Sequence, residues 1–221
     1  MSYNKNIIHK ITLTGILTCL SLIGIFISKF IPWPLFSIIG LKIDISFLFI
    51  FVIFFVTDFK FGIIALITRF LLGPFITMNF DLIGWLGHGI LLFSNGFFIF
   101  IFFLSLFLLK KIKKLNKKII FLIASFLSII TTSLIMTILN FLFFSPLFFG
   151  MYKITDGYFL DSTLNKWTKI SNYFKTNLSF INFCFILYLP FNFTNFTLTI
   201  LFSALLNKII DNKRNKKLGK H

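Results

Sequence analysis

The chain contains no glutamate. Its six acidic residues are all aspartates, set against 22 lysines and arginines, so the formal net charge is +16 over 221 residues. Carboxylate chemistry therefore has little to draw on, and neither an HExxH helix nor a nucleophile-elbow serine is present. A Walker A glycine loop is also missing, so any ATP must be used by a partner. The two cysteines, Cys19 and Cys184, each stand in an apolar stretch, with no metal-ligand spacing and no disulfide framework. These absences argue against an enzyme and against a resident metal or cofactor.

What is present is hydrocarbon. Hydrophobic residues make up 57% of the chain and charged ones only 13%, and the mean hydropathy is +0.96. A soluble domain of this size cannot hide that much apolar surface, and several runs exceed the roughly 18 residues that mark a membrane helix. The expected fold is all-α: a single polytopic membrane domain of six transmembrane helices. Their expected positions are about Ile8–Phe30, Asp44–Val56, Phe61–Pro74, Leu82–Leu109, Ile119–Phe144 and Phe180–Ile210. Helices 2 and 3 are short for a full crossing. Pro146 is expected to stop helix 5, and Pro190 to kink helix 6. Trp33, in a proline-containing loop, suits the membrane interface. The polar stretch 149–178 reads as a surface loop or a partly ordered lid.

The positive charge is localised. Six lysines lie in Lys110–Lys118 and six basic residues in the tail 208–221. Such runs could contact nucleic acid, but beside membrane helices they are expected to anchor on anionic lipid, with no nucleic-acid partner. With six crossings both termini share a side. That side carries fifteen basic residues and the opposite loops six, which predicts cytoplasmic termini. Arg69, inside helix 3, should face the bundle or water, with Asp44 or Asp81 as its partner. Gly15 and Cys19, four apart on helix 1, permit close contact either within the bundle or with a partner membrane protein.

Three sequence-distant polar patches then fall at the outer side. Asn140 is the one amide in the apolar run Ile135–Pro146. Asn192 and Asn195 stand three apart in Leu189–Asn195. Lys42 and Asp44 follow the first loop. A buried amide left unpaired costs about 1–3 kcal/mol, so each must bond another helix or a ligand. Together the patches are expected to form the polar end of a pocket for an aromatic solute captured from outside.

LKIDIS (Leu41–Ser46), MTILNFLFFSPLFFGM (Met136–Met151), LPFNFTN (Leu189–Asn195) and, more weakly, FGIIALITRFLLG (Phe61–Gly73) resemble the substrate-binding S components of energy-coupling factor transporters. The likeness is greatest to the riboflavin-binding members, and its order and spacing run over most of the chain. It implies a mechanism. Vitamin would be bound at the outer face, with Leu41, Lys42, Asp44, Asn140, Asn192 and Asn195 in contact with it and Phe141 and Phe191 covering its ring. The subunit would dock through helix 1, including Gly15 and Cys19, onto a transmembrane coupling protein. Two ATPase subunits would drive it to topple and release substrate inside. Two positions depart from the riboflavin pattern: Asn195 stands where lysine is usual, and Phe47 where a second aspartate is common. Folate, thiamine and pyridoxine therefore stay open beside riboflavin, as does an autonomous membrane carrier.

Overall fold

The computed structural model describes residues 2–35, 40–112 and 116–218, with side chains described for 6–35, 40–112 and 116–205. Lys113, Lys114 and the side chains of the basic tail lie outside the described residues. The chain is 81% helix with no strand among the described residues. In order come α1 (Ser2–Ser28), α2 (Ser46–Val56), α3 (Phe59–Thr77), α4 (Leu82–Leu109), α5 (Lys117–Leu139), a π turn (Asn140–Phe144), α6 (Ser145–Met151), α7 (Leu160–Tyr173) and α8 (Phe180–Leu218). Five stretches are long and apolar enough to cross a membrane: Asn6–Ser28, Phe59–Thr77, Leu82–Leu109, Lys117–Met151 and Phe180–Leu205. This is the pattern of a polytopic membrane protein. The expected sixth crossing, α2, has only 11 residues, about 16 Å at 1.5 Å per residue and half of a ~30 Å hydrocarbon core.

Two proline expectations are corrected. Pro146 does not end its helix. In the π turn before it the Ser145 N–H bonds the carbonyl of Asn140, five residues back, so the ladder shifts and Pro146 arrives in the first turn of α6, where its missing donor costs little. Helix 3 likewise runs past Pro74 to Thr77 and is longer than expected.

The helices group into two compact units. One holds the residues up to Ile31, Asp44–Met78, and those from Asn195 onward; the other holds Pro32–Ile43 and Asn79–Thr194. In the first unit α2 is the core. Phe47, Leu48, Ile50, Phe51, Val52, Ile53 and Phe54 are all buried, as expected of a helix apolar on every side. It packs against α1 and α3. The inward face of α1 is mostly small and polar, with Thr14, Thr18, Ser21, Gly24 and Ser28 buried beside Ile25, whereas Ile16, Leu20, Ile23 and Ile27 point outward. A membrane helix is built this way because lipid takes the large apolar residues and small ones let backbones approach. The Gly24 position faces Ser46 so closely that a Cβ would stand 2.9 Å from its Cα. Gly15, by contrast, has nothing within 4 Å and Cys19 is exposed. The stripe that packs internally is thus the next one around the helix.

Two clamps mark the ends of this unit. Lys10 Nζ meets Asp58 Oδ2 at 2.8 Å, and Lys29 Nζ donates to the Ile76 carbonyl at 2.8 Å. The chain between them runs about 28 Å along α1 and about 27 Å along α3, close to the hydrocarbon thickness.

In the second unit α4 packs along α5. The buried face of α5 is again small and polar (Ser125, Ser128, Thr132, Ser133, Thr137), and that of α4 includes His88, Ser94 and Asn95 beside Phe98 and Phe102. Asp81 caps α4 by accepting the Gly84 N–H at 2.8 Å, so it is not the partner of Arg69.

Candidate functional site

An aromatic cluster organises the second unit. Trp33, Phe149, Ile170, Phe174, Phe180, Phe183, Cys184, Leu187 and Tyr188 are buried together, and Leu41, Ile43, Phe141, Trp167 and Phe191 pack against them. Phe141 meets Phe180 at 5.2 Å between ring centroids, and Phe191 meets Trp33 edge-on at 5.6 Å. Three distant stretches named from sequence therefore send Leu41, Phe141 and Phe191 onto one apolar body.

Each stretch has a local reason to be there. The Trp33 N–H donates to the Leu41 carbonyl at 2.8 Å, and Pro32 pairs antiparallel with Lys42. This small hairpin turns the indole inward. Trp33 is buried within the protein. The polar stretch after α6 is ordered as α7. Its spacing of Leu160, Thr163, Trp167, Ile170 and Phe174 gives one apolar face, which packs onto the cluster, with charge on the other. Trp167 Nε1 donates to the Leu178 carbonyl at 2.8 Å and ties the helix to the start of α8. Inside, Ser145 Oγ donates to Tyr188 Oη at 2.8 Å, a buried polar pair at the floor of the cluster.

The asparagines divide. Asn140 opens the π turn, is 8% exposed, and its Nδ2 donates to the Met136 carbonyl at 2.7 Å. Single π turns recur at functional sites because they re-aim the side chains they carry. Asn192, on α8, is 7% exposed and its Nδ2 has no acceptor. Lys42 is exposed, and its backbone closes the hairpin.

Asp44 and Asn195 belong to the first unit, where both take part in hydrogen bonds. Asp44 Oδ2 accepts from Arg69 Nη2 at 2.6 Å, with the arginine 1% exposed. Arg69 Nε donates to Ser46 Oγ at 2.6 Å. Three successive backbone donors then find side-chain acceptors. The Asp44 N–H goes to Asn195 Oδ1 at 3.0 Å, the Ile45 N–H to Ser28 Oγ at 3.0 Å, and the Ser46 N–H to Asp44 Oδ1 at 3.0 Å. Ser46 lies against Gly24, about 7 Å along α1 from Lys29, and Arg69 is about 10 Å along α3 from Ile76. The start of α2 thus lies about 7–10 Å along α1 and α3 from the Lys29–Ile76 contact. Non-helical backbone among apolar helices survives when its polar groups are paired within the protein; here the N–H groups of Asp44, Ile45 and Ser46 are paired, while Arg69 Nη1 has no acceptor. The length of α2 accounts for the remaining distance to the Lys10–Asp58 end.

Sequence reasoning missed Trp33, Trp167 and the Ser145–Tyr188 pair. Trp33 and Trp167 read as interfacial or loop aromatics, and only the hairpin and the amphipathic spacing of α7 hinted otherwise. No group of three His, Cys, Asp or Glu able to hold a metal occurs among the described residues. A groove between α5 and α8 is lined by Ile130, Leu134, Leu189, Pro190 and Phe193, with Ser133 the one polar residue in its lining. No family model, curated protein or solved structure matches the chain.

Proposed function

We propose that this chain is the substrate-capture subunit of an energy-coupling factor vitamin importer, with riboflavin as its first candidate ligand and another vitamin as the alternative. The observation that supports this reading is the convergence of Leu41, Phe141 and Phe191 on one aromatic cluster beneath the amphipathic helix α7. Flat aromatic walls suit a planar ring. Asn140 and Asn192 offer amide donors and acceptors, and a neutral vitamin needs no cationic clamp of the kind a phosphorylated or carboxylated one would require. In this reading α7 is the lid, and it and the cluster face outward. The termini are cytoplasmic. The outward stripe of α1, with Gly15 and Cys19, meets the transmembrane coupling protein, and the chain itself does no chemistry: ATP is used by two partner subunits.

Isothermal titration of the purified protein against riboflavin, folate, thiamine and pyridoxine tests the proposal. Riboflavin is expected to bind tightly, and Asn140→Ala and Asn192→Ala each to weaken it by about 1–3 kcal/mol, because a ligand edge loses its partner. If no vitamin binds, or both variants bind like the parent, the reading fails.

A further inference from the structure

Helix α7 is bracketed by two apolar stretches long enough to cross a membrane. The preceding one ends at Met151 and the next begins at Phe180. The chain entering α7 folds back on the first: Tyr158 lies so close to Gly150 that a Cβ added there would stand 2.5 Å from its ring. The end of α7 returns to the same turn, with the Phe174 ring centroid 6.2 Å from that of Phe149. Its middle meets the next stretch, with Trp167 and Phe180 4.8 Å apart between centroids. A helix of 14 residues is about 21 Å long. Contacts at both of its ends to one turn hold it across the ends of the two stretches, at the level where the chain leaves hydrocarbon.

The aromatic cluster covers one face of α7, but one edge is open. Phe159 and Tyr173 are 76% and 66% exposed. With Lys166 between them they recur every seven residues and so form one stripe along the helix. Tyr152 and Tyr158 are exposed at its entrance. The segment 152–178 carries four lysines against two aspartates. Two of those lysines, both exposed, stand where backbone is strained. Lys153 follows α6 and Lys175 follows α7, with φ of 59° and 52°, in the left-handed cap position that glycine fills without steric cost. Each cap is closed by the residue after the lysine, from the Ile154 N–H to the Phe149 carbonyl and from the Thr176 N–H to the Ser171 carbonyl. Both turns therefore present a cation in place of a glycine.

Exposed rings and lysines at this level are what a membrane surface receives: aromatic rings settle at the hydrocarbon boundary and ammonium groups meet lipid phosphate. We propose that α7 is an interfacial helix, and that its edge Phe159–Lys166–Tyr173, with Lys153 and Lys175 at the two turns, binds the headgroups of anionic phospholipid. Lys166 Nζ also meets Asp156 Oδ1 at 2.6 Å, with that carboxylate 85% exposed. A surface ion pair of this kind is weak, and a lipid phosphate can displace it. Bound lipid would hold α7 against the cluster whatever solute is captured, so this inference stands apart from the capture reading.

The test places the full chain in nanodiscs of phosphatidylcholine alone and of phosphatidylcholine mixed with phosphatidylglycerol, and reads hydrogen exchange. Exchange across 152–178 is expected to be about 10-fold slower with the anionic lipid, given the attraction of each lysine to a negative surface, while α5 exchanges alike in both. The triple variant Lys166→Gln/Lys169→Gln/Lys175→Gln should lose the difference. Sodium chloride at about 1 M should erase it in the parent, because screening then acts within ~3 Å, and this arm carries the test if the triple variant does not fold. Phe159→Ser/Tyr173→Ser should speed exchange of the segment in both lipids. Equal exchange of the parent in the two lipids overturns the proposal. So does protection in phosphatidylcholine produced by inorganic phosphate at matched ionic strength, which would mean an ion site. A lipid difference that survives both the triple variant and high salt would put the contact elsewhere and overturns it too. Riboflavin titration in the same nanodiscs reports on the capture reading separately.

Discussion

Asp44→Leu is the most informative perturbation of the fold. It removes the acceptor of Arg69 Nη2, bonded at 2.6 Å, and leaves the guanidinium 1% exposed with only Ser46 Oγ as partner. It also strips the acceptor of the Ser46 N–H. Breaking a buried ion pair from one side costs about 3–5 kcal/mol, because the surviving charge stays desolvated. An orphaned N–H adds about 1–3 kcal/mol, and the two losses overlap, so roughly 4 kcal/mol is expected in total. At ~2–4 °C per kcal/mol for a chain of this size, the unfolding midpoint should fall by about 8–16 °C. The double variant Asp44→Leu/Arg69→Met removes the charge altogether. It should be more stable than Asp44→Leu alone, leaving chiefly the Ser46 N–H unpaired. The assay is thermal unfolding in one detergent for the parent, both single variants and the double, which form a double-mutant cycle. Additive losses, or an Asp44→Leu midpoint equal to that of the parent, would refute the structural role assigned to the network. Asn195→Ala belongs to the same set. It should lower stability by about 1–3 kcal/mol through the Asp44 N–H and leave ligand affinity close to that of the parent. Lost affinity at unchanged stability would return Asn195 to the binding site.

Two further outcomes follow from packing. Gly24→Ala would place a Cβ 2.9 Å from the Ser46 backbone and is expected to cost about 1–3 kcal/mol by overpacking. Gly15→Ala, in open space, should be neutral or slightly stabilising, and the two unfolding curves side by side check the pair. Trp167→Phe removes the bond to the Leu178 carbonyl, worth about 1 kcal/mol. Hydrogen exchange should then speed up across 160–178 while that of α5 stays as in the parent; equal protection would mean that the indole does not hold α7.

Hydropathy alone disclosed the class of this protein, because long apolar runs leave the backbone no choice but to satisfy itself as helix. It located α4 to the residue, and the cost of a charge facing lipid named Asp44 and Asp81 as candidate partners of Arg69. A family resemblance in three stretches, not hydropathy, named Leu41, Phe141 and Phe191, and these share one cluster. Only tertiary structure decided the rest. Whether a buried amide bonds a ligand, its own helix or a neighbouring loop depends on which acceptor is nearest: Asn140 took Met136, Asn195 took Asp44, and Asn192 took none. Whether Pro146 ends a helix depended on the π turn before it, a shift in hydrogen-bond register with no residue signature of its own. The start of α2 likewise needed three acceptors from three separate segments. The cost of an unpaired backbone donor in hydrocarbon can be read in advance, but the group that removes it appears only once the helices are packed.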